Sequence, residues 1–89
     1  MATIEITIKG KVQGVFYRAS AKKIAEQFRL NGYVKNLPNG DVQAVVAGSD
    51  EAIAGFVEWC KRGPSHAIVE SVETKAASGQ HYTKFEIVR

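Results

Sequence analysis

The sequence has little of what a disulfide framework, a metal centre or a membrane anchor requires. Of its 89 residues, one is a cysteine and two are histidines far apart in the chain. A single thiol cannot form an internal disulfide, and two distant histidines lack the spacing of zinc ligands. No apolar run approaches the roughly 18 residues of a membrane span, and no basic segment followed by an apolar one opens the chain. We expect a reduced, cytoplasmic monomer without signal peptide, metal or cofactor.

Charge of one sign is also scarce. Twelve basic residues stand against nine acidic ones, a net charge of +3 that is dispersed along the chain. Domains that bind nucleic acid usually show a concentrated basic face, so we expect no nucleic-acid partner. A mild positive excess can still steer small anions toward a site. The length and the 45% hydrophobic content fit one domain spanning residues 1–89.

The spacing of apolar residues predicts seven elements. Ile4, Ile6 and Ile8 alternate and predict a strand over residues 3–9 with these side chains inward. Helical spacing predicts a first helix over about 19–30, stopped by Asn31-Gly32. A second predicted helix is capped by Ser49 or Asp50 and stopped by Gly63-Pro64. Further strands are predicted at 33–37, 42–47, within 66–75 and at 82–88. A loop is predicted at 76–80.

The order of these elements predicts the fold class. Strand, helix, strand, strand, helix, strand, strand places two helices on one face of a mainly antiparallel sheet, an α+β fold of the split β-α-β type. Asn39-Gly40 is a strong hairpin signal between the second and third strands. The strand at 42–47 is nearly all apolar, so we expect it at the centre of the sheet.

The connection at residues 10–18 joins the first strand to the first helix. It has glycines at two points and ends on Arg18. Glycine permits positive φ or close approach to a ligand, and a helix start offers unpaired N–H groups that suit phosphate. Two interpretations are open, a phosphate site with the guanidinium of Arg18 or a plain turn with a solvated arginine. Because the Walker-A and dinucleotide patterns are absent, a small phosphate group is favoured over a nucleotide.

Asn36 lies near the end of the predicted strand at 33–37, although asparagine is a poor strand former. Its carboxamide can bond a bound water or a substrate. Alternatively, it can bond the backbone of its own turn. The residue alone leaves both interpretations open.

Taken together, these two stretches resemble the acylphosphatase family. Residues 10–18, Gly-Lys-Val-Gln-Gly-Val-Phe-Tyr-Arg, match its first signature, except that Tyr17 stands where phenylalanine is usual. Its second signature, Gly-aromatic-x-basic-Asn followed by Gly-x-Val and a later glycine, is similar to residues 32–36, 40–42 and Gly48. The resemblance covers nearly the whole chain and implies a ferredoxin-like split β-α-β fold.

The resemblance also implies an activity, the hydrolysis of acyl phosphates to a carboxylate and inorganic phosphate. It makes Arg18 the catalytic arginine that binds phosphate and Asn36 the residue that positions the attacking water. Neither motif contains a base, so we expect the proton of the water to pass to a phosphate oxygen. The backbone amides implied to bind the phosphate are those of Val12, Gln13, Gly14 and Val15.

Other reactive residues fit core or surface roles. Cys60 lies on the apolar stripe of the second helix, where a small hydrophobe is expected. His66 follows a turn and His81 lies in a loop, so surface roles are favoured for both. The alternative function is a non-enzymatic ferredoxin-like binding module for RNA or a small ligand, although the strand at 42–47 lacks the aromatic residues of an RNA-binding sheet. A third possibility is an acylphosphatase-like part of a larger protein that handles carbamoyl phosphate, and we expect no partner domain in these 89 residues.

Overall fold

The computed structural model describes residues 2–77 and 81–89. Within them the chain forms the predicted order of elements. These are β1 (Ala2–Lys11), α1 (Tyr17–Gln27), β2 (Asn31–Asn36), β3 (Val42–Gly48), α2 (Asp50–Arg62), β4 (Ile68–Ala76) and β5 (Phe85–Val88).

The strands form one mixed sheet in the order β4-β1-β3-β2-β5. Neighbouring strands are antiparallel except β2 and β5, which are parallel. The prediction of a mainly antiparallel sheet with the strand at 42–47 in its centre is therefore confirmed. Because β1 and β2 both run antiparallel to β3, the strands β1, β2 and β5 run in the same direction. Their carboxyl ends consequently lie at the same edge of the sheet.

The hydrophobic core lies between the sheet and the two helices, as in other ferredoxin-like folds. Alternation in β1 places Ile6 and Ile8 fully inside, and Ile4 packs against the core from a half-buried position. Burial of apolar surface of this kind is the main favourable term in folding. The helices contribute Tyr17, Ala21 and Ala25 from α1 and Ile53, Phe56 and Cys60 from α2.

The prediction that the first helix spans 19–30 is wrong at both ends. The helix begins at Tyr17, directly after Phe16, whose φ of 63° is left-handed. It ends at Gln27 because Arg29 is also left-handed, with φ 59°. The N–H of Arg29 donates to the carbonyl of Glu26, and the N–H of the next residue donates to that of Ala25. This is a Schellman motif without the usual glycine, so Asn31-Gly32 does not stop the helix and begins β2 instead.

The second helix agrees with its prediction. Ser49 is its N-cap, with its Oγ accepting a hydrogen bond from the N–H of Ala52 at 3.1 Å. Gly63, with φ 65°, follows its last residue, and the N–H of Gly63 donates to the carbonyl of Trp59. Neither helix in the described part of the chain is long and apolar enough to cross a membrane.

The last strand is shorter than the predicted 82–88. Its parallel partner β2 begins at Asn31, and the pairing starts only at Gly32 and Phe85. Before that point, the side chain of Asn31 donates to the carbonyl of Tyr82 at 3.1 Å. Residues 82–84 therefore precede the strand, although the carbonyl of Lys84 already accepts a hydrogen bond from the N–H of Gly32 at 2.9 Å. Of the predicted loop at 76–80, Ala76 belongs to β4 and residues 78–80 lie outside the described residues.

A pair of glycine variants tests what Gly32 does in the sheet. Gly32 has φ +139°, and a Cβ there would lie 1.8 Å from the carbonyl oxygen of Val45, whereas Gly40 has φ +98° with nothing within 4 Å. We expect Gly40→Ala to lower the free energy of unfolding by about 1 kcal/mol, the cost of the backbone conformation alone. Gly32→Ala should cost more than about 4 kcal/mol, because β2 must also separate from β3.

Urea denaturation of both variants measures this difference. Equal losses for Gly32→Ala and Gly40→Ala would contradict the close approach of β2 and β3.

Candidate active site

A cleft of about 270 Å³ opens at the edge where β1, β2 and β5 end. Residues from the connection between β1 and α1 form one wall, and the first turn of α1 continues it. Asn36 of β2 lines the other side, together with Ile87 and Arg89 from the end of β5. The volume suits a small ligand.

The connecting loop of residues 12–16, here called the cradle loop, changes direction through left-handed conformations. Gly14 has φ 74° and Phe16 has φ 63°. Gly14 is exposed, and no atom lies within 4 Å of the position a Cβ would take there. Among the described residues, no partner accepts a hydrogen bond from the backbone N–H of residues 13–16. Backbone N–H groups left free in such a turn form a concave site for anions.

The start of α1 reinforces this preference for an anion. Phe16 occupies the N-cap position and provides no side-chain hydrogen bond, and the first turn contains no acidic residue. The first N–H groups of the helix therefore lack side-chain partners, and no acidic side chain in this turn compensates the positive end of the helix dipole. An anion bound in the cleft would accept hydrogen bonds from these N–H groups and would compensate the helix dipole.

Arg18, the second residue of α1, lines this cleft. Its Nη1 donates to the carbonyl of Val88 at 3.3 Å, which ties the guanidinium to the end of β5. In the described part of the chain, no carboxylate lies within ion-pair distance of Arg18. Its positive charge is therefore free to bind an anionic ligand.

Asn36 is the last residue of β2 and is half-buried. Side chains alternate along a strand, so Asn36 shares a face with Val34, which lies in the core. Asn36 thus extends the core-facing row of β2 into the cleft. The structure brings together the two side chains, Arg18 and Asn36, that the resemblance assigns to one site.

Of the four residues expected to bind phosphate through backbone amides, Val12 and Gly14 line the cleft. Gln13 and Val15 belong to the same cradle loop, but their side chains point elsewhere. Val15 packs against the core. The Nε2 of Gln13 donates to the carbonyls of Leu37 and Asp41, both at 2.8 Å. Gln13 therefore ties the cradle loop to the hairpin that follows Asn36.

Tyr17, which replaces the usual phenylalanine, has a defined partner. Its hydroxyl donates to the carbonyl of Cys60 at 2.8 Å. In a continuous helix that carbonyl would accept from residue 64, but Pro64 has no N–H. Burial raises the pKa of Tyr17, as does the neighbouring Cys60, so the hydroxyl stays protonated and remains a donor. The hydroxyl thus fastens the start of α1 to the last turn of α2.

Other reactive side chains lie away from the cleft. Cys60 is buried, and burial raises the pKa of its thiol to about 12, so it is neutral at pH 7. His66 and His81 are exposed and do not line the cleft. Within residues 2–77 and 81–89, no three His, Cys, Asp or Glu side chains are grouped as metal ligands. The chemistry available in the cleft is that of two guanidinium groups, a carboxamide and backbone amides.

Sequence reasoning missed two features of the site. Arg89 lines the cleft, and the side chain of Gln13 fixes the cradle loop to the hairpin. The signal for Arg89 lies in the parallel pairing of β5 with β2, which no local pattern reveals. The predicted hairpin gave no indication that its carbonyls would be acceptors for Gln13.

The fold and the cleft define a class, a small ferredoxin-like α+β protein with a cleft at the start of its first helix. A sequence model described as acylphosphatase matches residues 4–87. An acylphosphatase of Thiobacillus denitrificans is 45% identical over 86 residues, 97% of this chain and 96% of that protein. This chain therefore belongs to the acylphosphatase family and is an enzyme, a hydrolase.

Solved structures agree with this membership. The acylphosphatase from Bacillus subtilis superimposes with a TM-score of 0.96 at 31% identity, over 100% of both chains. Full-length HypF, in a phosphate- and nucleotide-bound form, matches 99% of this chain with a TM-score of 0.88 at 26% identity, over 12% of its own length. The same fold is thus found both in proteins of this size and inside a much longer one.

The bond from Tyr17 to α2 is tested by Tyr17→Phe. Removing the hydroxyl leaves the carbonyl of Cys60 buried without a partner, so we expect the free energy of unfolding to fall by about 1–2 kcal/mol. Tyr33→Phe is the control, since that hydroxyl makes a longer contact of 3.4 Å with Gln43. The control should change stability by less than about 0.5 kcal/mol.

Urea denaturation of both variants provides the measurement. A Tyr17→Phe variant as stable as the wild type would show that water or another donor serves the carbonyl of Cys60 equally well.

Proposed function

We propose that this chain hydrolyses the carboxyl-phosphate bond of acyl phosphates, giving a carboxylate and inorganic phosphate, without a metal. One observation carries the proposal: a free arginine, an asparagine and unpaired backbone amides open into one cleft. A phosphoryl group needs donors for its oxygens and an aligned nucleophile, and phosphoryl transfer depends largely on positioning and electrostatics. Family membership supports the same substrate class.

Binding of the phosphoryl group falls to the cradle loop and Arg18. The N–H groups of residues 13–16 and the first turn of α1 would donate to the non-bridging oxygens. Arg18 adds a planar guanidinium, which is suited to paired phosphate oxygens. These donors are held by the backbone and by the bond from Arg18 to Val88. Donors fixed in advance stabilise the charge that develops in the transition state.

Asn36 orients the attacking water in this proposal. A carboxamide is not a base near pH 7, but its oxygen can accept a hydrogen bond from the water. This hydrogen bond orients a lone pair of the water oxygen toward phosphorus. The water oxygen then bonds to phosphorus while the bond from phosphorus to the acyl oxygen breaks. The electron pair leaves with the carboxylate, and a proton of the water passes to a phosphate oxygen. The good leaving group removes the need for a general acid.

The same proposal takes the enzyme to be a cytoplasmic monomer. Its single cysteine is buried in the core, which suits a reducing compartment. Its substrate is a small molecule, and no specific observation favours the RNA-binding alternative. The strand at 42–47 contains no aromatic residue, and it lies within β3 at the centre of the sheet. An RNA-binding sheet would carry aromatic residues on its central strands.

The role of Arg18 is tested by Arg18→Gln. We expect kcat/KM for benzoyl phosphate to fall by about 10³-fold or more, because the variant loses the main charged donor to the phosphoryl group. Arg29→Gln is the matched control, since it removes the same charge at the opposite end of α1. Circular dichroism should show that both variants remain folded. Wild-type turnover in folded Arg18→Gln would exclude this residue from catalysis.

The role of Asn36 is tested by Asn36→Ala. Loss of water alignment should lower kcat for benzoyl phosphate by about 10²-fold. The inhibition constant of inorganic phosphate should change by less than about threefold, which corresponds to a change in binding free energy below about 0.7 kcal/mol. Asn39→Ala is the control, because it removes a carboxamide from the exposed turn that follows. Equal losses in kcat and in phosphate affinity would assign Asn36 to binding rather than to the water.

A further inference from the structure

Arg89 is placed in the cleft by the pairing of β5 with β2. In this parallel register, Val34 lies opposite Ile87 and Lys35 lies opposite Val88. The next position along brings Arg89 opposite Asn36. Because side chains alternate, Asn36 and Arg89 continue the rows of Val34 and Ile87, which face the core or pack against it. Arg89 therefore lines the same cleft as Asn36.

The cleft carries two guanidinium groups and no acidic side chain. Arg18 and Arg89 both line it, and none of its other lining residues is charged. In the described ranges, neither arginine forms an ion pair with a carboxylate. Two cationic side chains in one cleft, with no acidic side chain in its lining, favour a ligand with more than one anionic group.

The two arginines differ in what holds them. Arg18 is tied to the carbonyl of Val88 and starts the helix whose N–H groups face the cleft. Together with the amides of residues 13–16, it supplies donors enough for the three non-bridging oxygens of one phosphoryl group. Arg89 is exposed, and no described residue forms a hydrogen bond with its side chain. Its guanidinium is available to bind a second anionic group of the same ligand.

Part of the cleft lining is apolar. Phe16 is 79% exposed although it lines the cleft, and Ile87 is half-buried beside Arg89. An exposed aromatic ring at a site entrance offers contact area for a short hydrocarbon chain. The cleft thus presents phosphate donors, an apolar surface and a second guanidinium.

From this arrangement we infer that Arg89 determines specificity for the acyl part of the substrate. It binds a carboxylate on the acyl chain, so acyl phosphates of dicarboxylic acids are preferred over those of simple fatty acids. The inference rests on the proposed function, because it concerns the same cleft and the same reaction. Arg89 contacts the leaving group and takes no part in bond breaking.

The test compares succinyl phosphate with butyryl phosphate. Both have a four-carbon acyl chain, and only succinyl phosphate ends in a carboxylate. The wild type should show a higher kcat/KM for succinyl phosphate, and Arg89→Gln should lower the ratio of the two kcat/KM values by about tenfold or more, the effect of one hydrogen bond to a charged group. Arg89→Lys should retain part of the preference, since it keeps the charge without the planar fork.

Arg29→Gln is again the control, because it removes one charge without touching the cleft, and it should leave the ratio unchanged. An unchanged ratio in Arg89→Gln would overturn the inference, whether kcat/KM falls equally for both substrates or for neither. Equal losses would assign Arg89 to the phosphoryl group. Hydrolysis of neither substrate by the wild type would instead overturn the proposed function, and this inference with it.

Discussion

The unpaired backbone N–H groups between β1 and α1 are the constraint on which the rest of the site depends. Backbone N–H groups that find no acceptor within the protein are available to water or to a ligand. Here Gly14 and Phe16 turn the chain through left-handed conformations, and the N–H groups of residues 13–16 have no acceptor among the described residues. A turn of this kind is suited to an anion without any charged side chain, and in the function proposed above Arg18 adds its positive charge to that of the helix start.

The architecture serves to hold the cradle loop against two strand ends. Because β1, β2 and β5 run in the same direction, the loop, Asn36 and Arg89 meet at one edge. Two side-chain contacts then fix the loop from opposite sides. Gln13 bonds the carbonyls of the hairpin after β2, and Tyr17 bonds the carbonyl left free by Pro64 at the end of α2. The carbonyl that accepts from Tyr17 has no donor in the turn after α2, whereas the two carbonyls that accept from Gln13 also accept backbone hydrogen bonds within the hairpin.

Most elements could be predicted from local patterns, and the errors have specific causes. The alternation of isoleucines in β1 and the Ser49 cap of α2 are local signals, and both predictions are confirmed. The first helix ends early because Arg29 adopts a left-handed conformation that sequence rules reserve mainly for glycine. The last strand starts late because its length is set by β2, a strand about fifty residues away in the chain.

The sequence by itself determined the fold class and the family, and it singled out Arg18 and Asn36 as candidate site residues, since these depend on hydrophobic period and on motifs of consecutive residues. Tertiary structure alone decided that both side chains open into one cleft, that Gln13 points to the hairpin, and that Arg89 lies beside Asn36. The physical reason is the direction of strands. The strand ends that meet at one edge of the sheet are set by hydrogen bonding between segments distant in the chain. Local spacing of residues does not predict that pairing.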